Sequence, residues 1–257
     1  MADDQGRPHR AAPTALRTTA VQRALDELTA RRRGELGRPL RVLDLGGGTG
    51  GTAVPLAVAG HDVTVVDPSP DALFSLRRRA AEHDVEHRVR ALQGDTDTVR
   101  SLVGDDGLDL VCLHGTLEVV DDPAAALGSV AALLGPGGTL SLVVAQRLHA
   151  VLARALAGEF DRARAVLTRP DGRWGEDDPS PRRFDEETVV ALLRDHGLEP
   201  VSSTGIRVFT DLVPSALVES EADRASLLDL EDAASHDPAH PQLGALGSAL
   251  HVLATRG

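Results

Sequence analysis

The chain has one cysteine, one methionine and one tryptophan, and no lysine, asparagine or tyrosine. A single cysteine cannot close an internal disulfide, and Cys112 has no partner at metal-ligand spacing, so no metal site is assigned. It lies in the apolar stretch Leu108 to Leu113 and reads as a small buried hydrophobe in a reducing compartment. No apolar run approaches the roughly 20 residues of a membrane helix, and the polar start Met1 to Arg10 lacks a signal-peptide core. The expectation is a cytoplasmic protein with no membrane partner. Every fixed side-chain cation is an arginine; the joint loss of lysine, asparagine and tyrosine matches the codon bias of a GC-rich genome and identifies no function. Positive charge is scarce overall. A formal net charge of -12 argues against indiscriminate binding to nucleic acid, which rests on summed positive charge releasing counterions, and leaves only a local basic patch open.

What is present suffices for a sizeable core: 257 residues, 42% of them hydrophobic. Leu16, Val21, Leu25 and Leu28 recur at a loose helical period within Thr14 to Arg33, which reads as an amphipathic helix before the first strand. Strands and helices then alternate. Strands are expected at Arg41 to Leu45, Asp62 to Asp67, Arg88 to Leu92, Leu108 to His114 and Thr139 to Val144. Helices are expected at Thr52 to Ala59, Pro70 to Glu82, Thr98 to Val103 and Pro123 to Leu134. Such βαβ rhythm implies an α/β fold with a doubly wound, mostly parallel sheet. Beyond it, Leu148 to Leu167 reads as helix broken at Gly158, Thr168 to Pro181 as loop, Phe184 to His196 as helix and Leu198 to Phe209 as strand. Glu219 to Ala234 follows as helix, His236 to Pro241 as loop and Ala249 to Thr255 as a last strand. The spacing predicts a helical lead over 1–39, a ligand-binding core over 40–146, and substrate-side helices and last strands of the same domain over 147–257.

The chemistry concentrates at strand ends. Val42 to Gly51 is an apolar run breaking into a glycine turn, and it satisfies two motifs at once. Gly46, Gly48 and Gly51 fit G-x-G-x-x-G, the dinucleotide fingerprint, whereas Asp44, Gly46, Gly48 and Gly50 fit D-x-G-x-G-x-G, the turn that holds S-adenosylmethionine. Asp44 suits a ligand with an ammonium group. Asp67, closing the second strand, can accept both ribose hydroxyl hydrogens and serves either cofactor. Gly94-Asp95-Thr96 makes a small polar corner suited to an adenine edge, and Leu134-Gly135-Pro136-Gly137-Gly138-Thr139-Leu140 a tight turn into the fifth strand.

Taken together, these four places resemble the class I S-adenosyl-L-methionine-dependent methyltransferases over about residues 40 to 145, with a Rossmann-like fold. The resemblance implies Gly46, Gly47 and Gly48 under the methionine portion, Asp67 on the ribose, and Asp95 and Thr96 beside the adenine. A closer likeness runs through His114 to Pro123, Ala157 to Asp161, Pro181-Arg182, Thr204 to Phe209 and His251 to Arg256, which is similar to the bacterial tRNA 5-carboxymethoxyuridine methyltransferases. That family esterifies the carboxylate on a wobble uridine. It implies that Arg17 reaches the cofactor and that His114 covers it.

A carboxylate acceptor is ionised at pH 7 and needs no general base, so catalysis would be positioning. His114 and Arg207 are the candidates for a direct catalytic role, and Arg147, Arg182 and Arg207 for holding an anionic acceptor by a guanidinium fork. Glu118 reads as an acid at a helix start, Arg31 to Arg33 and Arg77 to Arg79 as solvated helix faces, and Trp174 either stacks on a base or anchors its loop. Where the tRNA family is lysine-rich, Arg169 to Asp178 is here acidic. The acceptor is therefore tRNA or a small molecule bearing an acid or hydroxyl. Two other readings stay open from sequence: a cofactor-binding protein without turnover, and a nicotinamide dehydrogenase lacking a recognisable second constellation.

Overall fold

The computed structural model describes residues 14–104 and 107–257, with backbone alone at 14–19 and 236. The expected role of Arg17 therefore falls on a side chain outside the described residues, although its backbone belongs to helix α1 (Thr14–Leu36). Among the described residues no helix is long and apolar enough to cross a membrane.

Strands β1 (Arg41–Leu45), β2 (Asp62–Asp67), β3 (Val89–Gln93), β4 (Leu108–His114), β5 (Leu134–Ala145), β6 (Leu198–Ile206) and β7 (Ala249–Arg256) form one seven-stranded sheet in the order β3-β2-β1-β4-β5-β7-β6. The first five are parallel, while β7 runs antiparallel to both β5 and β6. The sheet is mixed but mostly parallel, as expected. Its central strands are covered on both faces, which is why they read as continuous apolar runs. Helices α1, α2 (Ala53–Val58) and α3 (Pro70–Glu82) pack one face through Leu25, Leu56 and Leu76. The other face carries α4 (Val99–Val103), α5 (Pro123–Leu133) and α8 (Glu186–Asp195) through Val99, Leu127 and Leu193.

Helix starts follow local chemistry. Ser69 accepts the Ala72 N–H and Asp122 accepts those of Ala124 and Ala125, each followed by a proline whose missing N–H is harmless at the first helical position. Helices α6 (Arg147–Leu156) and α7 (Phe160–Thr168) divide at Gly158, where the break was expected. Helix α9 (Glu221–His236) begins with a reciprocal Ser220–Asp223 capping box.

Three of the boundaries that differ from expectation have a local cause. The turn Gly135 to Gly138 belongs to β5, whose pairing with β4 skips from Leu108↔Leu134 to Leu110↔Thr139, so the strand starts early and bulges. Phe184 bridges to Gln146 rather than starting α8. Finally, β6 stops at Ile206, because Arg207 turns left-handed and the next three N–H groups leave the sheet for a carboxylate. Strand order reverses between β1 and β4, and the ends of these two strands bring the glycine turn beside His114.

Candidate active site

The glycine turn settles its own ambiguity. Gly46, Gly48 and Gly50 all have positive φ, at 77°, 54° and 82°, an alternation that only the D-x-G-x-G-x-G spacing matches. A Cβ on Gly50 would collide with Leu76 and crowd Val54, whereas one on Gly51 would meet nothing within 4 Å. Gly51 is thus incidental to the turn. The loop is tied down by the Gly46 N–H donating to the Val66 carbonyl at 2.7 Å and the Gly48 N–H donating to Asp67 Oδ2 at 2.9 Å.

Beneath this turn lies Asp44. Gly47 has no side chain where a Cβ would stand 2.5 Å from Asp44 Oδ2, so the carboxyl presses against the turn. It is 2% exposed; burial raises its pKa to about 7, Ala53 opposes this through a backbone N–H, and the charge of Asp67 adds to it. Asp44 Oδ2 is buried without a hydrogen-bond partner. Such an orphan acceptor is costly unless a ligand completes it. Asp67, also buried, accepts Ser69 N–H on Oδ1 and Gly48 N–H on Oδ2, each at 2.9 Å, and each oxygen retains a lone pair.

A cavity of about 440 Å³ opens above these groups, lined by Gly46, Asp67, Asp95, Thr96, His114 and Thr116 among others. Five of the sequence-predicted cofactor residues therefore meet around one space, while Asp44, Gly47 and Gly48 flank Gly46 in the strand end and turn beside it. Asp95 Oδ1 accepts from Asp97 N–H, Thr98 N–H and the Thr98 hydroxyl, and these bonds hold its carboxyl below the usual range. The Thr116 hydroxyl donates to the Leu45 carbonyl at 3.0 Å, closing the wall against Gly46.

His114 has both ring nitrogens engaged. Nδ1 lies 3.4 Å from Thr52 Oγ1 and Nε2 lies 2.9 Å from Ser141 Oγ, which is itself 2.9 Å from His251 Nε2. One serine hydroxyl donates once, so one ring donates to Ser141 and the other accepts from it. Burial, with the neighbouring His251 adding, lowers the His114 pKa to about 3; burial lowers that of His251 to about 4. Both rings are neutral at physiological pH. Glu118, expected as a helix-start acid, instead accepts the Ala145 N–H on Oε1 at 2.6 Å and fastens the turn after β4 to the end of β5. Burial raises its pKa, against the opposing pull of Ala145, Arg207 and Arg182.

Of the three arginines expected near an acceptor, Arg147 and Arg182 line one small cavity and Arg207 lines another. Arg147 pairs with Asp185 at 2.9 Å and donates to the carbonyls of Val166, Arg169 and Pro170 at the end of α7. Arg182 donates to the carbonyls of Leu117, Val120 and Asp121, the last two of which belong to cavity-lining residues. Arg207, beyond β6, has its Nε 3.7 Å from Asp211 Oδ2 and its charge felt at Glu118. Trp174 anchors its loop, with the guanidinium groups of Arg154 and Arg183 4.3 and 4.6 Å from its ring centre. Around it the acids pair internally: Asp177 with Arg162, Asp178 with Arg183, Asp171 with Arg169.

Ser141, His251 and Thr116 were not singled out from sequence. A polar residue on a strand otherwise buried on both faces is the available signal, since burial demands a partner. Ser141 and His251 both show it. Glu231 carries no such mark within a helix of mixed composition.

A family model described as a methyltransferase domain matches residues 17–203, well over half of the chain. The chain is 31% identical over 217 residues to the tRNA 5-carboxymethoxyuridine methyltransferase of Escherichia coli, covering 84% of this chain and 80% of that one. It is 35% identical over 120 residues to the ubiquinone biosynthesis O-methyltransferase of Xanthomonas campestris, covering 46% and 48% of the two chains. Among solved structures, magnesium protoporphyrin IX methyltransferase from Synechocystis with bound SAH superposes with a TM-score of 0.60 at 17% identity, covering 98% of this chain and 90% of that one.

Proposed function

From the premise that the chain belongs to the S-adenosylmethionine-dependent methyltransferases, we propose that it transfers the methyl group to a carboxylate oxygen, the first acceptor being 5-carboxymethoxyuridine at the tRNA wobble position. The donor fits the residues present. An ammonium group would complete the orphan Asp44 Oδ2, the side-chain-free turn Gly46 to Gly48 would cradle the methionine portion, and the free lone pairs of Asp67 would accept from the ribose. Asp95 and Thr96 would border the adenine. The chemistry S-adenosylmethionine supplies when bound is an electrophilic methyl on a sulfonium.

The observation that carries the acceptor class is the state of His114. It is the one imidazole among the described residues lining the donor cavity, and a ring with a pKa of about 3 is a poor base for a hydroxyl. An acceptor that arrives ionised needs no base. What remains for the protein is to exclude water and align the oxygen, which supplies about 7–11 kcal/mol in well-oriented reactions. The E. coli relative supports the wobble uridine, because the likeness covers 84% of this chain and 80% of that one, whereas the Xanthomonas relative matches less than half of the chain. Pairing of Asp171, Asp177 and Asp178 with arginines removes part of the repulsion that the composition of 169–178 implies for phosphates. A small-molecule acid is the second reading, favoured by the net charge of -12.

The test uses tRNA carrying free 5-carboxymethoxyuridine, the purified protein and S-adenosylmethionine, read by nucleoside mass spectrometry. Conversion to the methyl ester is expected. Unchanged tRNA, with methylation of a phenolic hydroxyl under the same conditions, would overturn the reading.

A further inference from the structure

Arg207 has φ 59°, and Asp84 is the one other non-glycine residue described in that region. A residue with a Cβ avoids this backbone, and holds it only where its surroundings over-determine it. Foremost among the surroundings here is one buried carboxylate. Glu231 of α9 accepts the Val208 N–H on Oε2 at 2.8 Å, and on Oε1 the N–H groups of Phe209 and Thr210 at 2.8 and 2.5 Å and the Thr210 hydroxyl at 2.6 Å. Three successive N–H groups reach one carboxylate because the chain bends sharply at Arg207. The Arg207 carbonyl is fixed as well, accepting the Ser248 N–H at 3.2 Å.

The bend decides where the guanidinium goes. Had β6 continued as strand, Arg207 would lie in the sheet; instead its Nε stands 3.7 Å from Asp211 Oδ2, and its charge acts on Glu118, in the turn after β4, and on His149 at the start of α6. With His251 and Glu231, Arg207 also lines a cavity of about 360 Å³ between α1 and α9. His251 joins it through Ser141 to His114 of the donor cavity. A guanidinium held at the sheet edge is suited to receive a carboxylate.

We infer that Glu231 is a positioning residue for acceptor recognition: by fastening the turn after β6 it holds Arg207 in the left-handed conformation that presents its guanidinium to the acceptor carboxylate. This rests on the acceptor reading above. Its prediction separates from that reading, because anion binding at Arg207 is measurable without turnover.

The test uses the full chain saturated with S-adenosylhomocysteine and titrated with methoxyacetate, which reproduces the acid arm of the acceptor. The arginine Nε–Hε resonances are followed by NMR, with Arg207 assigned from Arg207→Lys. In the wild type the Arg207 resonance shifts saturably. Glu231→Gln, whose amide NH2 faces donors it cannot accept, weakens methoxyacetate about tenfold, the scale of one strained residue losing its support, while S-adenosylhomocysteine affinity stays within about twofold. In the Arg207→Lys background Glu231→Gln has no further effect, since it acts through that side chain. Should Glu231→Gln fold poorly, the pair with Arg207→Gly is measured by thermal unfolding. Glycine accepts the left-handed bend freely, so it restores folding to Glu231→Gln. Equal methoxyacetate affinity in wild type and Glu231→Gln, additive effects in the cycle, or no rescue by glycine overturns the positioning role. Intact binding at Arg207 without turnover of the tRNA overturns the acceptor reading and supports the positioning role.

Discussion

Asp44 gives the most quantitative prediction. Its carboxyl is 2% exposed, faces the glycine turn and has a pKa raised by burial from 3.8 to about 7. An acid whose folded pKa exceeds its unfolded value binds a proton that the unfolded chain has released. Ionising it therefore weakens the free fold as pH rises from about 4 to about 7, by about 1.4 kcal/mol per unit and about 4 kcal/mol in all. An ammonium group seated on Asp44 favours the ionised form and reverses this. Donor binding should then release close to half a proton at pH 7 and tighten about tenfold from pH 6 to pH 8. The nearby His114 and His251, with pKa values of about 3 and 4, do not titrate in that window, and burial pushes the adjacent Cys112 thiol well above its usual value. Calorimetry in two buffers of different ionisation enthalpy measures both quantities. Asp44→Asn, which keeps an acceptor for the Ala53 N–H, should show no proton release, weaker binding with a flat pH profile, and a free protein more stable than wild type at pH 8. A flat wild-type affinity between pH 6 and 8, or an equal slope in Asp44→Asn, would refute the reasoning.

Two further substitutions probe the frame of the site. Gly50→Ala should destabilise the protein by about 2–4 kcal/mol, from the left-handed backbone and the overlap with Leu76, while Gly51→Ala is near neutral; equal denaturation midpoints would restore the dinucleotide reading of the turn. Arg183→Met leaves Asp178, whose side chain is fully buried, without its cation and should cost about 3–5 kcal/mol. Burial pushes Asp178 up, but Arg183 and the N–H groups of Ser180 and Trp174 together hold it below the usual carboxylate range. Its contribution to stability is thus present above pH 4 and lost as pH falls below that. Limited proteolysis should find cleavage within 169–181 in Arg183→Met with donor affinity unchanged; resistance equal to wild type would show that the loop does not depend on this pair.

The donor side was legible because it is written in local chemistry. A turn that needs left-handed backbone at alternate residues demands glycine there, and Gly46, Gly48 and Gly50 meet that demand. Asp67 closes an apolar run that could only be a buried parallel strand, so its position at a strand end followed from the pattern. The choice between the two glycine motifs followed from the other strand ends, whereas its steric basis, Leu76 and Val54 crowding Gly50 while Gly51 faces open space, was not legible. Strand β6 illustrates the opposite limit. Its apolar alternation runs on through Val208, and nothing local says that a glutamate 23 residues later will take the Val208 N–H out of the sheet.

Charge was the least legible quantity, for a physical reason. An arginine in a list is a free cation, but a guanidinium has five N–H donors and a buried one must satisfy them. Arg147 does so on an aspartate and three carbonyls closing α7, Arg182 on three carbonyls of the turn after β4, and Arg183 on Asp178 and the Gly172 carbonyl. Three of the four acids of 169–178, Asp171, Asp177 and Asp178, are paired in the same way, so an acidic composition overstates the repulsion of the surface. Arg207 is held in two ways, by Asp211 Oδ2 3.7 Å from its Nε and by the bonds that Glu231 makes to the backbone that follows it. A cation whose following backbone is fixed is aimed by the turn as well as by its ion pair. That distinction, and not the count of arginines near the site, makes Arg207 the residue on which acceptor charge should be tested first.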